Sequence, residues 1–418
     1  MLNSFLKTRK LVLSLFVAIA LQPAFAQAKI EVLFHPTDPT LEKVGDWIRQ
    51  AHKTVDIAMY SMDTTAASPV VKTLMDPAVQ ARLKTGDLSI RMIFEGYGKP
   101  VDNDKKMQDL ENLGIDVRFL KSGKKVHHKF AVMDSGTANA RVITGSANWS
   151  LSSYRSYDEN MLFMENEPEA NFEYETEFQR LWTDGAEFGA TVAHSPRALP
   201  DLTGTPDRLD VFFNSPRVLH KIQAPEHNLT SQVVRLINGA KSELSIATTR
   251  VRLVPVLESL KAAAARGVKV KVLISQDDFR DLWKRGDYLL NQPNLELRIK
   301  FYNLKPSQYI SSQMHNKFMI VDRETIETGS FNWSDSSENA HVENVLELKG
   351  PAASEVLTSY NERFDLMWER GRAEFAELKA KLAEKQRQGQ FPECGFSPSS
   401  LTYDEVRELL KLAPKCGS

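Results

Sequence analysis

Apolar and polar positions alternate along this chain in short runs separated by segments of helical period. The first run, K-I-E-V-L-F-H-P at 29–36, is extended and stopped by proline, and a helix-period segment follows over 41–53. V-D-I-A-M-Y-S-M (55–62), L-S-I-R-M-I-F-E (88–95) and I-D-V-R-F-L (115–120) predict strands, because β-branched and large apolar residues recur there at period two. The same order then returns. L-D-V-F-F-N-S-P (209–216) precedes a helix-period segment at 229–241, and L-S-I-A-T-T-R-V (244–251), V-K-V-K-V-L-I-S (268–275) and L-E-L-R-I-K-F (295–301) follow. In this alignment Tyr60-Ser61-Met62 stands against Thr248-Thr249-Arg250. A repeated order of elements predicts two copies of one α/β unit, over 29–185 and 208–370. The proline- and glycine-containing stretch at 194–206 is the linker between them. From 371 to 418 a charged helical tail is expected, with Thr402-x-x-Glu405 as a capping box for a short helix carrying Val406, Leu409 and Leu410.

The ends of the chain add compartment. Lys7, Arg9 and Lys10 flank an apolar run at 11–21, and Ala24-Phe25-Ala26 has the form of a cleavage site, so 1–26 reads as a signal peptide and the protein as exported, periplasmic or secreted. The run is too short to span a bilayer, and no other segment is long and apolar enough to do so. Cys394 and Cys416 are the only cysteines, and in an exported chain such a pair predicts a disulfide. The composition, 42% apolar and 26% charged over 418 residues, is that of a globular protein with material for more than one core. A net charge of −1 gives no global signal for an anionic partner, so any surface for nucleic acid or lipid headgroups has to be local.

The chemistry lies in a second level of repetition. V-H-H-K-F-A-V-M-D at 126–134 returns as M-H-N-K-F-M-I-V-D at 314–322, giving His127, Lys129 and Asp134 and then His315, Lys317 and Asp322. G-S-A-N-W-S (145–150) and G-S-F-N-W-S (329–334) follow, and then Glu159-Asn160 and Glu343-Asn344. The copies differ in length only at the turn between them, D-S-G-T-A-N-A-R against D-R-E-T. On a strand His127 and Lys129 share one face and His128 takes the other. The second copy has Asn316 in the place of His128, so that position does not require an imidazole. The aspartates fall on the opposite face and are expected to support the backbone or a neighbouring ion pair. A face bearing His, Lys, Ser, Asn and Glu suits a phosphate: ammonium and amide groups meet its non-bridging oxygens, and a glutamate fixes the tautomer of an imidazole. One set is half a site, and two facing sets supply two lysines, a nucleophile and an acid.

These motifs resemble those of the phospholipase D superfamily, and the resemblance covers nearly all of the chain between the leader and the tail. It implies an α/β fold of two pseudo-symmetric lobes, each a mixed β-sheet flanked by helices, packed around one shared active site. Both half-sites then lie on one chain, and a monomer can hold the complete site. In the family's mechanism one histidine attacks phosphorus and the other protonates the leaving oxygen, then activates water or an alcohol. Mapped here, His127 is favoured as nucleophile and His315 as acid. Lys129, Lys317, Asn148 and Asn332 would hold the phosphoryl oxygens with help from Ser146 and Ser330, and Glu159 and Glu343 would orient the histidines. No cofactor is implied, and no metal, because the lysines supply the charge that a cation otherwise would.

The motifs specify a phosphodiester and leave its class open. Hydrolysis of a phospholipid headgroup is favoured. A metal-independent nuclease acting on DNA or RNA is the alternative; Lys121, Lys124 and Lys125 would then track a backbone, although a loop with three lysines is more often simply solvated. A phosphatidyl transferase and a non-catalytic binding module are weaker readings, the latter because no histidine or lysine of either set is lost. For Arg250 an exposed, salt-bridged arginine is the favoured reading, and a reach into the cleft to read a second phosphate or headgroup is the alternative. Leu282-Trp283 and Tyr288-Leu289-Leu290, around Lys284-Arg285, suit an apolar rim or a core equally.

Overall fold

The computed structural model describes residues 28–95, 100–282, 286–303, 312–390 and 395–412. The expected leader at 1–26, the cysteines Cys394 and Cys416, and Trp283, Lys284 and Arg285 lie outside the described residues.

The first half contributes strands β1 (Lys29–His35), β2 (Thr54–Met59), β3 (Ser89–Phe94), β4 (Ile115–Phe119), β5 (Lys125–Val126), β6 (Lys129–Met133), β7 (Arg141–Gly145), β8 (Tyr157–Glu165) and β9 (Ala186–Glu187). The second contributes β10 (Leu209–Phe213), β11 (Glu243–Thr248), β12 (Lys269–Ser275), β13 (Leu295–Asn303), β14 (Gln313–Met314), β15 (Lys317–Val321), β16 (Thr325–Gly329), β17 (His341–Val342), β18 (Asn344–Leu348) and β19 (Gly395–Thr402). Two mixed sheets result. Their orders are β1-β8-β7-β6-β2-β3-β4-β9 and β10-β18-β16-β15-β11-β12-β13-β19, the same path walked twice. Within each, β2–β3–β4 and β11–β12–β13 are parallel; β2 and β3 are buried on both faces, whereas β12 still exposes Lys269 and Lys271 where it begins.

Amphipathic helices cover the outer faces. Thr40–Gln50 buries Leu41, Val44, Trp47 and Ile48, and Leu229–Gly239 buries Leu229, Val233, Leu236 and Ile237, spacings that put one stripe of each helix on its sheet. Leu282 and Leu289 also lie in the outer core of the second lobe. Two longer helices, Pro168–Asp184 and Gly350–Glu369, fill the space between the sheets. Each presents matched rings, Tyr174, Phe178 and Trp182 against Tyr360, Phe364 and Trp368. Each also reaches into the other lobe, with Tyr174 5.4 Å from Phe213 and Tyr360 5.5 Å from Phe34 between ring centroids. The inter-lobe core is therefore one continuous cluster drawn from both halves. Truncating Phe178 or Phe364 to alanine is expected to cost about 3–5 kcal/mol.

Two expectations need correction. The tail is not only helical: after the helix Phe375–Arg387 it supplies β19, antiparallel to β13, and so closes the sheet edge that the two-residue β9 closes in the first lobe. Its capping box forms reciprocally, with Thr402 N donating to Glu405 Oε2 and Glu405 N to Thr402 Oγ1. The match of Tyr60-Ser61-Met62 to Thr248-Thr249-Arg250 is one residue out. Tyr60 N donates to His128 O where Thr249 N donates to Asn316 O, so Tyr60 corresponds to Thr249 and Ser61 to Arg250. The linker is pinned to the first lobe, with His194 bonded to Asp116 and Arg197 to Asp56.

Candidate active site

The site forms where the two lobes exchange backbone. β5, just before His127, pairs in parallel with β17 of the second half, and His127 N donates to Val342 O at 3.1 Å. β14, just before His315, pairs in parallel with the start of β8, and His315 N donates to Asp158 O at 2.9 Å. Each pairing lays one half's histidine beside the other half's glutamate. His127 Nδ1 is 2.8 Å from Glu343 Oε2, and His315 Nδ1 is bonded to Glu159 Oε1. The carboxylates thus serve the histidines crosswise. With Nδ1 engaged, Nε2 is the ring nitrogen left to attack or to donate.

The lysines curl back over their own histidines. Lys129 Nζ donates to His127 O at 2.5 Å and Lys317 Nζ to His315 O at 2.8 Å. On the reverse face His128 is fully buried, with Nδ1 accepting from Asn344 Nδ2 at 3.1 Å and Nε2 3.2 Å from Glu177. Asn316, in the same slot, accepts from Asn160 Nδ2 at 3.1 Å. A polar layer therefore locks the lobes together beneath the catalytic face.

The G-S-x-N-W-S segments turn against the glutamate strands. Ser146 N and Ser330 N donate to Asn160 O and Asn344 O. Gly145 has φ +140°, and a Cβ there would lie 2.5 Å from Asn160 O, so glycine is required by close approach as well as by conformation. Asn148 and Asn332 are nearly buried, and in each the Oδ1 has no partner among the described residues. These are two matched acceptors, which a donor group of a polar ligand would satisfy. Ser146 and Ser330, expected on the phosphoryl group, are instead fully buried behind it. Ser146 Oγ accepts from Asn160 N at 3.0 Å, while Ser330 Oγ accepts from Asn344 N and donates to Glu343 Oε2 at 2.6 Å. These hydroxyls position the glutamate strands and are not available to substrate.

The aspartates lie away from the cleft. Asp134 accepts from the backbone N–H groups of His52, Lys53 and Thr54, and Asp322 from those of Lys241, Ser242 and Glu243. Both cap the chain entering the neighbouring strand from a left-handed backbone, φ +50° and +51°.

Burial governs the electrostatics. It lowers His127 well below its ordinary value and His315 to about 4, which favours the neutral form of both imidazoles. It also lowers Lys129 to about 8 and Lys317 to about 7, against the opposing pull of Glu343 on the first and Glu159 on the second. Burial would raise both glutamates, yet His127 and His315 hold Glu343 and Glu159 well below the usual carboxylate range. Lys317 also feels Lys129, Glu343 and Arg250, and Lys129 feels Glu159, so the two half-sites share one field.

Several further residues support the site outside the repeated H-x-K and G-S-x-N-W-S motifs. His35 lies 3.5 Å behind Glu159, to which Ser153 Oγ also donates. Asp158 accepts from Lys300, from Tyr302 at 3.0 Å and from Arg363 at 2.9 Å, anchoring the backbone that receives His315. The rings flanking the histidines break the symmetry. Tyr60 and His341 lie 4.8 and 5.5 Å from His127, and Tyr157 lies 5.8 Å from His315. His341-x-Glu343 and Tyr157-x-Glu159 occupy matched positions, a signal that the repeat alignment contains but does not interpret.

Comparison with known proteins agrees with this geometry. The family model "Cardiolipin synthase, PLD-like domain" matches twice, over residues 45–182 and 233–368. A mitochondrial cardiolipin hydrolase of Chlamydomonas reinhardtii is 26% identical over 146 residues, 35% of this chain and 59% of that protein. One from Xenopus laevis is 35% identical over 104 residues, 23% of this chain and 44% of that protein. The chain thus spans about half the length of these relatives. In fold it is similar to the phosphatidylserine synthase of Haemophilus influenzae Rd KW20, with a TM-score of 0.56 at 13% identity over 92% of each chain. Taken with the repeated motifs and the paired sheets, the double match shows that the chain belongs to the phospholipase D-like family, carrying two copies of its domain.

Proposed function

We propose that this protein is an exported phosphodiesterase of phospholipase D type, which hydrolyses a phospholipid headgroup ester through a phosphohistidine. The observation that carries the reading is the crossed pair of His–Glu contacts, His127–Glu343 and His315–Glu159, around two buried lysines. Lys129, Lys317, Asn148 and Asn332 hold the non-bridging oxygens and neutralise the charge that develops on them. His127 Nε2 attacks phosphorus, and the bond to the leaving oxygen breaks as His315, which takes up a proton at Nε2 when the anionic substrate sits beside it, delivers that proton to the oxygen. His315 then takes a proton from water, whose oxygen displaces His127 and releases the phosphoryl product. Each glutamate stabilises the imidazolium that forms beside it.

The lipid reading is supported by the names of the relatives, cardiolipin hydrolases. No helix among the described residues is long and apolar enough to cross a membrane, so a lipid substrate would be met at its headgroup. The nuclease reading draws on Lys125, whose ammonium lies 5.7 Å from the Tyr60 ring centroid beside His127, an aromatic and basic pair suited to a stacked base. Parallel assays on anionic vesicles and on single- and double-stranded nucleic acid separate the two: headgroup or phosphatidate release from vesicles alone is expected, and cleavage of nucleic acid alone reverses the assignment. Export rests on the basic flank, apolar run and A-x-A site at 1–26 and is tested by fractionation of cells expressing the full chain.

A further inference from the structure

We infer that His127, His341 and Glu343 form a binding site for a borderline divalent cation of the Zn²⁺ type, present in one half of the molecule only. One ligand atom from each residue lies within 4.8 Å of the other two. Glu343 is completely buried, and its Oε1 has no hydrogen-bond partner among the described residues. His341 Nδ1 is likewise buried, and the polar atom it faces is that oxygen, at 3.5 Å. This gap is too long for a good hydrogen bond, but it is the separation of two ligands on one tetrahedral ion, roughly 3.4 Å for bonds of about 2.0–2.2 Å. The third ligand, His127 Nδ1, stands 2.8 Å from the other oxygen of the same carboxylate, Oε2, and has to turn from it toward an ion held on Oε1.

The donor set selects the ion. Two imidazoles and one carboxylate favour Zn²⁺, Co²⁺ or Cu²⁺ over Mg²⁺ and Ca²⁺, which prefer all-oxygen shells. His341 is partly exposed, which leaves a way in. In the other half the corresponding residue is Tyr157, so the third ligand is missing beside His315. Lys129, whose charge acts on both His127 and Glu343, opposes the cation and keeps its affinity moderate.

Binding through Nδ1 requires the other tautomer of His127: the proton leaves Nδ1, Nε2 takes one up, and the Nδ1–H···Glu343 bond is replaced by two bonds to the ion. With its Nδ1 lone pair on the ion and its proton on Nε2, the ring has no lone pair with which to attack phosphorus, so turnover falls. The inhibition rests on the phosphodiesterase reading; the cation site does not.

The test uses the full chain, stripped with chelator and titrated with Co²⁺, read by the visible absorption of the four-coordinate ion. One equivalent is expected to bind with a tetrahedral band. His341→Tyr, which copies the other half, and His341→Asn should each lose the band and weaken binding at least about tenfold. Glu187→Gln, in the separate acidic trio Glu111, Asp116 and Glu187, should retain it. Hydrolysis of bis(p-nitrophenyl) phosphate is followed in parallel, with Zn²⁺ suppressing it and chelator restoring it. Wild type without a band, or either His341 variant binding like wild type, overturns the site. A His341-dependent band in a protein that hydrolyses no phosphodiester leaves the site standing and removes the function instead.

Discussion

Glu343 lies 2.8 Å from Nδ1 of His127 although 216 residues separate them, while the histidine of its own repeat, His315, is served by Glu159. The imidazole that reacts and the carboxylate that fixes its tautomer therefore belong to different copies of the duplicated unit.

Replacing either carboxylate by its amide is expected to leave the fold intact and remove most turnover. Glu343→Gln and Glu159→Gln each deprive one imidazole of its partner, and the loss in kcat should be on the order of 10²–10⁴-fold. Circular dichroism checks the fold and an activated phosphodiester the rate. A variant with more than about a tenth of wild-type activity would contradict the crossed assignment.

The two histidines should separate under labelling. His127→Ala and His315→Ala are each expected to abolish steady turnover. Only the His315 variant should accumulate acid-labile, alkali-stable phosphoryl label from a substrate with a good leaving group, because attack by His127 survives while release fails. Label accumulating in the His127 variant instead exchanges the two roles.

The pH dependence of kcat/KM follows from the lysines. Burial pushes Lys317 down to about 7 and Lys129 to about 8, and the cationic form is the one that binds phosphate. In the free enzyme kcat/KM should therefore fall as pH rises through about 7. Lys317→Arg keeps its charge throughout, so whatever activity it retains should hold to higher pH. An alkaline limb that stays in place in this variant assigns it to another group.

Stability has its own pH signature. Glu327 on β16 is buried opposite Glu347 on β18, and burial together with that neighbouring carboxylate raises it to about 8 from an ordinary value of 4.5. A folded chain that keeps this proton after the unfolded chain has lost it is stabilised fully below about 4.5, and the contribution is lost as pH rises through about 8. Glu327→Gln should therefore melt like wild type near pH 4.5 and progressively above it towards pH 8. Parallel melting curves across that range would sink the assignment.

Much of this site is legible in the sequence because its signals are periodic. Alternation along a strand puts His127 and Lys129 on one face and His128 on the other, and the repetition of H-x-K and G-S-x-N-W-S marks the two sets. The crossing of the glutamates is not legible, because β5–β17 and β14–β8 are parallel pairs between distant segments, too short to leave a pattern. Ser146 and Ser330 mislead for a related reason. A hydroxyl beside an asparagine in a phosphate motif reads as a ligand, and only the strand packed behind it shows that the bond goes to Asn160 or Asn344. The tail strand β19 pairs with a partner far back in the chain, and its S-P-S-S sequence has little of a strand's composition.

The two short parallel pairings have a consequence for descent. A lobe cut away from its twin would carry a reactive ring with nothing to steer it and an open backbone edge, and its simplest repair is to associate with a second copy of itself. A self-pairing ancestor of half this length is thus a natural starting point for the gene. Once fused, its halves were free to diverge in their flanking rings, as His341 and Tyr157 have done, while a change in either glutamate strand is felt at once by the opposite imidazole.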